Sequence, residues 1–146
     1  MTSFTTRMTR LMIAAATLVV AAGSASAQSL KAEIPFAFRA GGVVMPAGTY
    51  QVKTDNHLGG HPYFEIRSVD GGRSVLLVGS VPHNPKKAWA AAGEAVLSFE
   101  CGVGRCALAE VWNGPEKSAY RVPCPKLGSD EATHTALVVM RHDKGD

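Results

Sequence analysis

Between Leu30 and Phe38 the chain alternates without a break. Leu30, Ala32, Ile34, Phe36 and Phe38 fall on one side, while Lys31 and Glu33, with Arg39 just beyond, fall on the other. A period of two belongs to a strand, whose successive side chains point to opposite faces; a helix would scatter the same apolar groups around its circumference. Pro35 interrupts this run. It has no amide hydrogen for a ladder, so a sheet edge or a bulge is expected there.

The rest of the chain repeats the pattern in short pieces, and no long stretch carries helical spacing. Val43-Val44-Met45 follows the turn Ala40-Gly41-Gly42, and Pro46-Ala47-Gly48 turns the chain into Thr49 to Lys53, where Tyr50 and Val52 share a face. Tyr63 to Ser68 and Ser74 to Gly79 flank Val69-Asp70-Gly71-Gly72-Arg73, whose Asp-Gly pair signals a tight hairpin. Ser80 to Gly93 holds Pro82 and Pro85 and reads as a crossover loop, with Ala88 to Ala92 suited to one helical turn. Glu94 to Cys101 and Cys106 to Trp112 form a second hairpin around Gly102-Val103-Gly104-Arg105. Ser118 to Val122 and Thr135 to Arg141 supply the last strands.

About eight short strands and no amphipathic helix predict an all-β fold, a single antiparallel β-sandwich or small closed barrel. The strands are mostly too short for an outer-membrane barrel and lack flanking aromatic girdles.

Ahead of these strands stands a segment of different character. Met1 to Ala27 contains the cations Arg7 and Arg10, an apolar run from Leu11 to Ala22, and the small-residue tripeptide Ala25-Ser26-Ala27. Those are the three parts of a cleavable signal peptide, and the run is too short for a permanent membrane span. The expected domains are therefore residues 1–27 as signal peptide and residues 28–146 as one β-rich domain, exported to the periplasm or the medium with no stable membrane anchor. Cleavage would leave 119 of the 146 residues, with 13 basic against 12 acidic side chains. A nearly neutral domain gives no electrostatic case for nucleic acid as a partner.

Three cysteines lie in the expected mature chain. Cys101 and Cys106 bracket the second hairpin, which places them across from each other within reach of a disulfide. A redox role is disfavoured: the spacing is not that of thiol oxidoreductases, and no helix N-terminus is expected to stabilise a thiolate. Cys124, between Pro123 and Pro125, is the remaining thiol, open to pairing with one of the other two, to bridging a second chain, or to staying free.

The other candidates are weaker. Gly102 to Ala107 matches the loose pattern G-x-G-x-x-A, but no helix follows to aim amides at a pyrophosphate, and the match reads as a hairpin loop. His57 and His61, with Asp55 nearby, could hold a weak surface metal, although solvated loop histidines are the simpler reading. His83, His134 and His142 are isolated in sequence. Trp112 and Tyr120 could present an aromatic binding surface, though aromatics at strand ends more often cap a core. No catalytic signature of a hydrolase or phosphate-binding enzyme is present, and no cofactor is implied.

Ile34-Pro35-Phe36-Ala37-Phe38, Met45-Pro46-Ala47-Gly48-Thr49-Tyr50, and Leu97-Ser98-Phe99 running through to Leu108-Ala109-Glu110-Val111-Trp112 together resemble a group of uncharacterised short secreted proteins of soil bacteria. The resemblance spans Leu30 to Trp112. It implies export and a β-rich domain and no particular activity, and the chain departs from the group's pattern at Cys101 and Cys106. The expected function is an exported non-catalytic module binding a macromolecule or a small ligand. The alternatives are an extracytoplasmic hydrolase or redox enzyme with a site assembled from distant residues, and a metal-handling protein using His57 and His61.

Overall fold

The computed structural model of the chain describes residues 29–56, 60–127 and 132–143. The expected signal peptide, residues 1–27, and His57 lie outside these. The described residues form ten strands and one short helix: β1 (Leu30–Ile34), β2 (Phe38–Ala40), β3 (Val43–Met45), β4 (Gly48–Asp55), β5 (Tyr63–Ser68), β6 (Ser74–Val78), α1 (Lys87–Ala92), β7 (Val96–Gly102), β8 (Arg105–Trp112), β9 (Ala119–Arg121) and β10 (His134–His142). They join one sheet in the order β3-β2-β8-β7-β10-β1-β4-β5-β6, with β9 also on β8, and the sheet curls into a nearly closed barrel. The all-β expectation holds. No described helix is long and apolar enough to cross a membrane.

Pro35 does more than mark an edge. The run from Leu30 to Phe38 keeps its alternation but is two strands, because the chain leaves the ladder at Pro35 and resumes at Phe38 in the other half of the sheet. β1 lies between β10 and β4, with Ala32 opposite both Met140 and Tyr50. β2 pairs with β3 and meets β8 at a single parallel bridge, Arg39 to Ala107, the one departure from antiparallel pairing among the described strands. A residue with no amide to donate is suited to this corner.

Both expected hairpins form. Tyr63 to Arg67 pair with Val78 to Ser74, and the Ser68 amide closes the turn on the Arg73 carbonyl at 2.8 Å. Gly71 there takes a φ of 79°, a left-handed conformation that glycine adopts without strain. In the second hairpin Gly102 pairs with Arg105 and Cys101 with Cys106, leaving the two-residue loop Val103-Gly104. The dinucleotide-like pattern is thus a β-turn. A bulge at Ala109 shifts the register, so that Phe99 faces Leu108 while Ser98 faces Glu110.

The barrel interior is filled by rings meeting edge to face. Phe99, with no exposure, lies 5.0 Å from Phe36 and 5.3 Å from Phe38, which lies 5.3 Å from Tyr50. Each such contact adds about 0.5–1.5 kcal/mol beyond simple burial. The free edges, β3 and β6, are brought together by side chains: Arg73 Nη1 donates to the Val44 carbonyl at 2.9 Å, and Leu77 packs close to Gly41. Beyond β6, the Ser80 amide donates to Arg121 O at 2.8 Å, and His83 forms a two-way bridge with Ala119, tying the crossover segment to β9.

That segment carries α1, the helical turn expected around Ala88 to Ala92. Gly93 ends it in a left-handed conformation, φ 68°, with its amide on the Trp89 carbonyl. Trp89 joins Val96, Trp112 and Ala119 in a second, smaller core on the outer face of the sheet.

Candidate functional site: a cleft at one end of the barrel

The start of β1, the end of β4 and the loop between β8 and β9 gather at one end of the barrel. They enclose a cleft of ≈ 380 Å³ lined by Leu30, Thr54, Asn56, Asn113, Lys117, Ser118 and Tyr120. That size lies in the range of about 300–1,000 Å³ typical of small-molecule sites. Leu30 and Tyr120 also belong to the barrel interior, so the cleft has an apolar floor beneath polar walls.

Asn113 organises those walls. Its Nδ2 donates to Thr54 Oγ1 at 2.7 Å, joining residues 59 apart in sequence, while its Oδ1 is buried and has no hydrogen-bond partner. An unpaired buried acceptor costs about 1–3 kcal/mol, so such an atom calls for a reason. Ser29 Oγ, next to Leu30, is the other buried side-chain polar atom among the described residues without a partner.

The loop that carries Asn113 is held in an uncommon backbone state. Gly114 has a φ of 112°, and Glu116 has a φ of 65°, the one described non-glycine residue in the left-handed region. Strain of this kind persists only where neighbours impose it, and it is concentrated at binding and catalytic sites. Here the neighbour is Trp112, whose Nε1 donates to the Lys117 carbonyl at 3.0 Å.

Trp112 and Tyr120 do not share a binding surface. Val111 faces Tyr120 across the β8–β9 ladder, so Tyr120 turns into the barrel against Phe64, at 5.7 Å between rings. Trp112 turns outward into the small core with Trp89. Only Tyr120 reaches the cleft.

A second polar constellation lies on the outer face. Glu110, its side chain 11 % exposed, has His83 Nε2 at 3.4 Å, Arg121 Nε at 3.5 Å and Lys86 Nζ at 3.8 Å. Lys86 also sits 5.3 Å above the Trp89 ring. His83 is therefore not isolated, as its place in the sequence suggested. The bridge with Ala119 brings it to Glu110, and the cluster pins the crossover segment onto β8 and β9.

A wider hollow, ≈ 860 Å³, runs along the outside of β1 and β10. Its Asp143 is taken up by Lys31 at 3.6 Å and Gln51 at 2.7 Å, and none of its lining residues holds an unpartnered buried polar atom.

Cys101 and Cys106 are bonded, with Cα atoms 4.0 Å apart and the Cys101 side buried. Cys124 is free and partly buried; burial, and secondarily the charge of Glu100, pushes its thiol above the usual range. That disfavours the thiolate, the reactive form. His61 is exposed in the loop before β5, and among the described residues no three His, Cys, Asp or Glu side chains gather as a metal site would require.

Sequence reasoning passed over Thr54 and Asn113. Asn113-Gly114-Pro115 carried a turn signal that hid a second role for Asn113, and no local pattern links it to a threonine on another strand. Comparison of the chain with protein-family models, with curated proteins and with solved structures found no match.

Proposed function

We propose that the protein is an exported, non-catalytic binding module that holds a small polar ligand in the cleft at the end of its barrel. The observation that carries this reading is Asn113 Oδ1, a buried acceptor left open in the wall of a cleft that a strained loop shapes. A ligand hydroxyl or amide donating to that atom would relieve its desolvation cost, which gives binding a source of free energy specific to this place.

Export is supported by the three-part segment Met1 to Ala27 and by a disulfide that fits an oxidising compartment. The resemblance to secreted proteins of soil bacteria points the same way. The non-catalytic part is supported by the cleft's composition: its described lining holds no His, Asp or Glu placed to act as a base on the hydroxyls of Thr54 and Ser118.

The test joins two measurements on the oxidised protein. A library of small polar compounds is scanned for a rise in melting temperature that Asn113→Ala abolishes, and a panel of hydrolase and thiol-oxidoreductase substrates is assayed for turnover. Ligand-dependent stabilisation without turnover supports the reading. Turnover that purifies with the protein and disappears in a cleft variant would overturn it.

A further inference from the structure

We infer that the edge of β10 from Thr135 to Val139 is a docking site for an extended peptide of a partner protein, which adds to the sheet where β1 stops short. The site stands apart from the cleft, whose described lining shares no residue with the hollow along β10. β10 changes partner along its length. It pairs with β7 over His134 to Val139 and with β1 over Met140 to His142.

Two bonds fix which way its backbone points. The Met140 amide donates to Ala95 O on the β7 side at 2.8 Å, and the Asp143 amide donates to Ser29 O on the β1 side at 3.0 Å. Bonding groups alternate along an antiparallel strand, so Leu137 and Thr135 direct amide and carbonyl away from β7, toward the space beside β1. No described strand fills that space. The register that sets Lys31 opposite Arg141, carried four residues on, brings residue 35 opposite Leu137, and residue 35 is a proline with no amide to offer. What remains is the hollow of ≈ 860 Å³, with Pro35 and Phe36 on one side and Leu137 to Val139 on the other.

This edge is unguarded. Thr135-Ala136-Leu137-Val138-Val139 carries no charge, and Leu137 and Val139 are 49 % and 40 % exposed. Open edges are ordinarily protected by charged side chains or bulges, and one without them is a template for another strand.

The backbone selects the occupant. Leu137 and Thr135 each present a donor and an acceptor, repeated every two residues, about 6.6 Å along a strand, and an extended peptide answers with the same repeat. A hydrocarbon chain would cover Leu137 and Val139 but take water from those backbone groups without replacing it. A second copy would have to bring a free edge. Its β3 and β6 are engaged with each other through Arg73 and Leu77, and its own β10 stretch lies in the same hollow, which admits a single strand more readily than the edge of a second barrel. The fitting segment is uncharged and β-branched over four or five residues, because its side chains meet Leu137 on one face and Phe36 and Val138 on the other.

The experiment adds a capped peptide, Lys-Val-Thr-Val-Thr-Val-Lys, to the oxidised, isotope-labelled protein and follows hydrogen exchange at the Leu137 and Thr135 amides. Versions with isoleucine or phenylalanine in place of valine, and an analogue with every central amide N-methylated, are run beside it. At ten times the dissociation constant, exchange at both amides should slow about tenfold, because only the unbound fraction exchanges. The methylated analogue, which keeps the side chains and loses the donors, should give no protection. Leu137→Pro removes the open-side donor without touching the ladder to β7 and should weaken binding about fivefold or more, the loss of one hydrogen bond.

If Leu137→Pro does not fold, Leu137→Lys at this exposed position carries the decision, and unchanged peptide affinity there overturns the inference. Equal protection by the methylated analogue would reduce the contact to apolar side chains and overturn strand addition. Protection that grows with protein concentration without peptide, with a doubled mass in sedimentation, would give the edge to a second copy instead. No protection by any of the unmethylated peptides at millimolar concentration also overturns it.

Discussion

Single residues in this barrel often act through one atom. Asp70 is fully exposed in the β5–β6 turn, yet its carboxyl is held below the usual range, first by the Ser68 hydroxyl that donates to it and then by the Gly72 amide at 2.9 Å. A lowered folded pKa means that the charged form favours the folded state. Its contribution is therefore present above the unfolded value of about 3.9 and is lost as pH falls through the folded one. Asp70→Asn is expected to be less stable than the wild type at neutral pH and to converge with it as pH falls below the ordinary carboxylate range, as urea melts across pH would show; a gap that stays constant would assign the effect to shape rather than charge. Tyr50 has the opposite sign: burial, reinforced by Asp70 and opposed by Arg73, raises its phenol, whose proton is donated to the Pro46 carbonyl. Neither partner was visible in the sequence, where Asp70 was a turn former and Tyr50 an inward-facing strand residue.

At the scale of elements, two contacts invite direct measurement. The Cys101–Cys106 bond closes a loop of only a few residues, so its removal costs the unfolded chain little constraint, about 2 kcal/mol or less. Replacing both cysteines by alanine should lower stability by that amount and leave the hairpin register intact, since Leu97, Phe99, Leu108 and Val111 still have one buried face to occupy. Cross-strand amide contacts by NMR would show a slipped register if the bond were what sets it. The second contact is Glu110 with His83, Lys86 and Arg121 around it, which joins the crossover segment to β8 and β9. Glu110→Gln removes the shared charge and should speed tryptic cleavage at Lys86 and Lys87, an effect that high salt mimics in the wild type; equal cleavage rates would leave the backbone bridges to β9 and the packing of Trp89 as what holds the segment.

For the whole molecule, cleavage after Ala27 predicts that protein recovered from its native host has an intact mass beginning at Gln28 and, without reductant, takes up one thiol label, at Cys124. A mass beginning at Met1 would remove export from the proposed function, and three labels would show the hairpin bond to be absent in the cell. By itself, the sequence determined the strand content, both hairpins, the facing cysteines and the helical turn before Gly93. Each of these is set by neighbours in the chain: alternation chooses the buried face, turn residues choose where the chain reverses, and a tight reversal brings its own flanks together. Only the tertiary structure decided that Pro35 sends one alternating run into two halves of a sheet, that β2 meets β8 in parallel, that His83 reaches Glu110, and that Asn113 holds Thr54 while its own oxygen stays open. Those pairings join residues far apart in the chain, and they depend on how the sheet curls and closes, which no local pattern of side chains encodes.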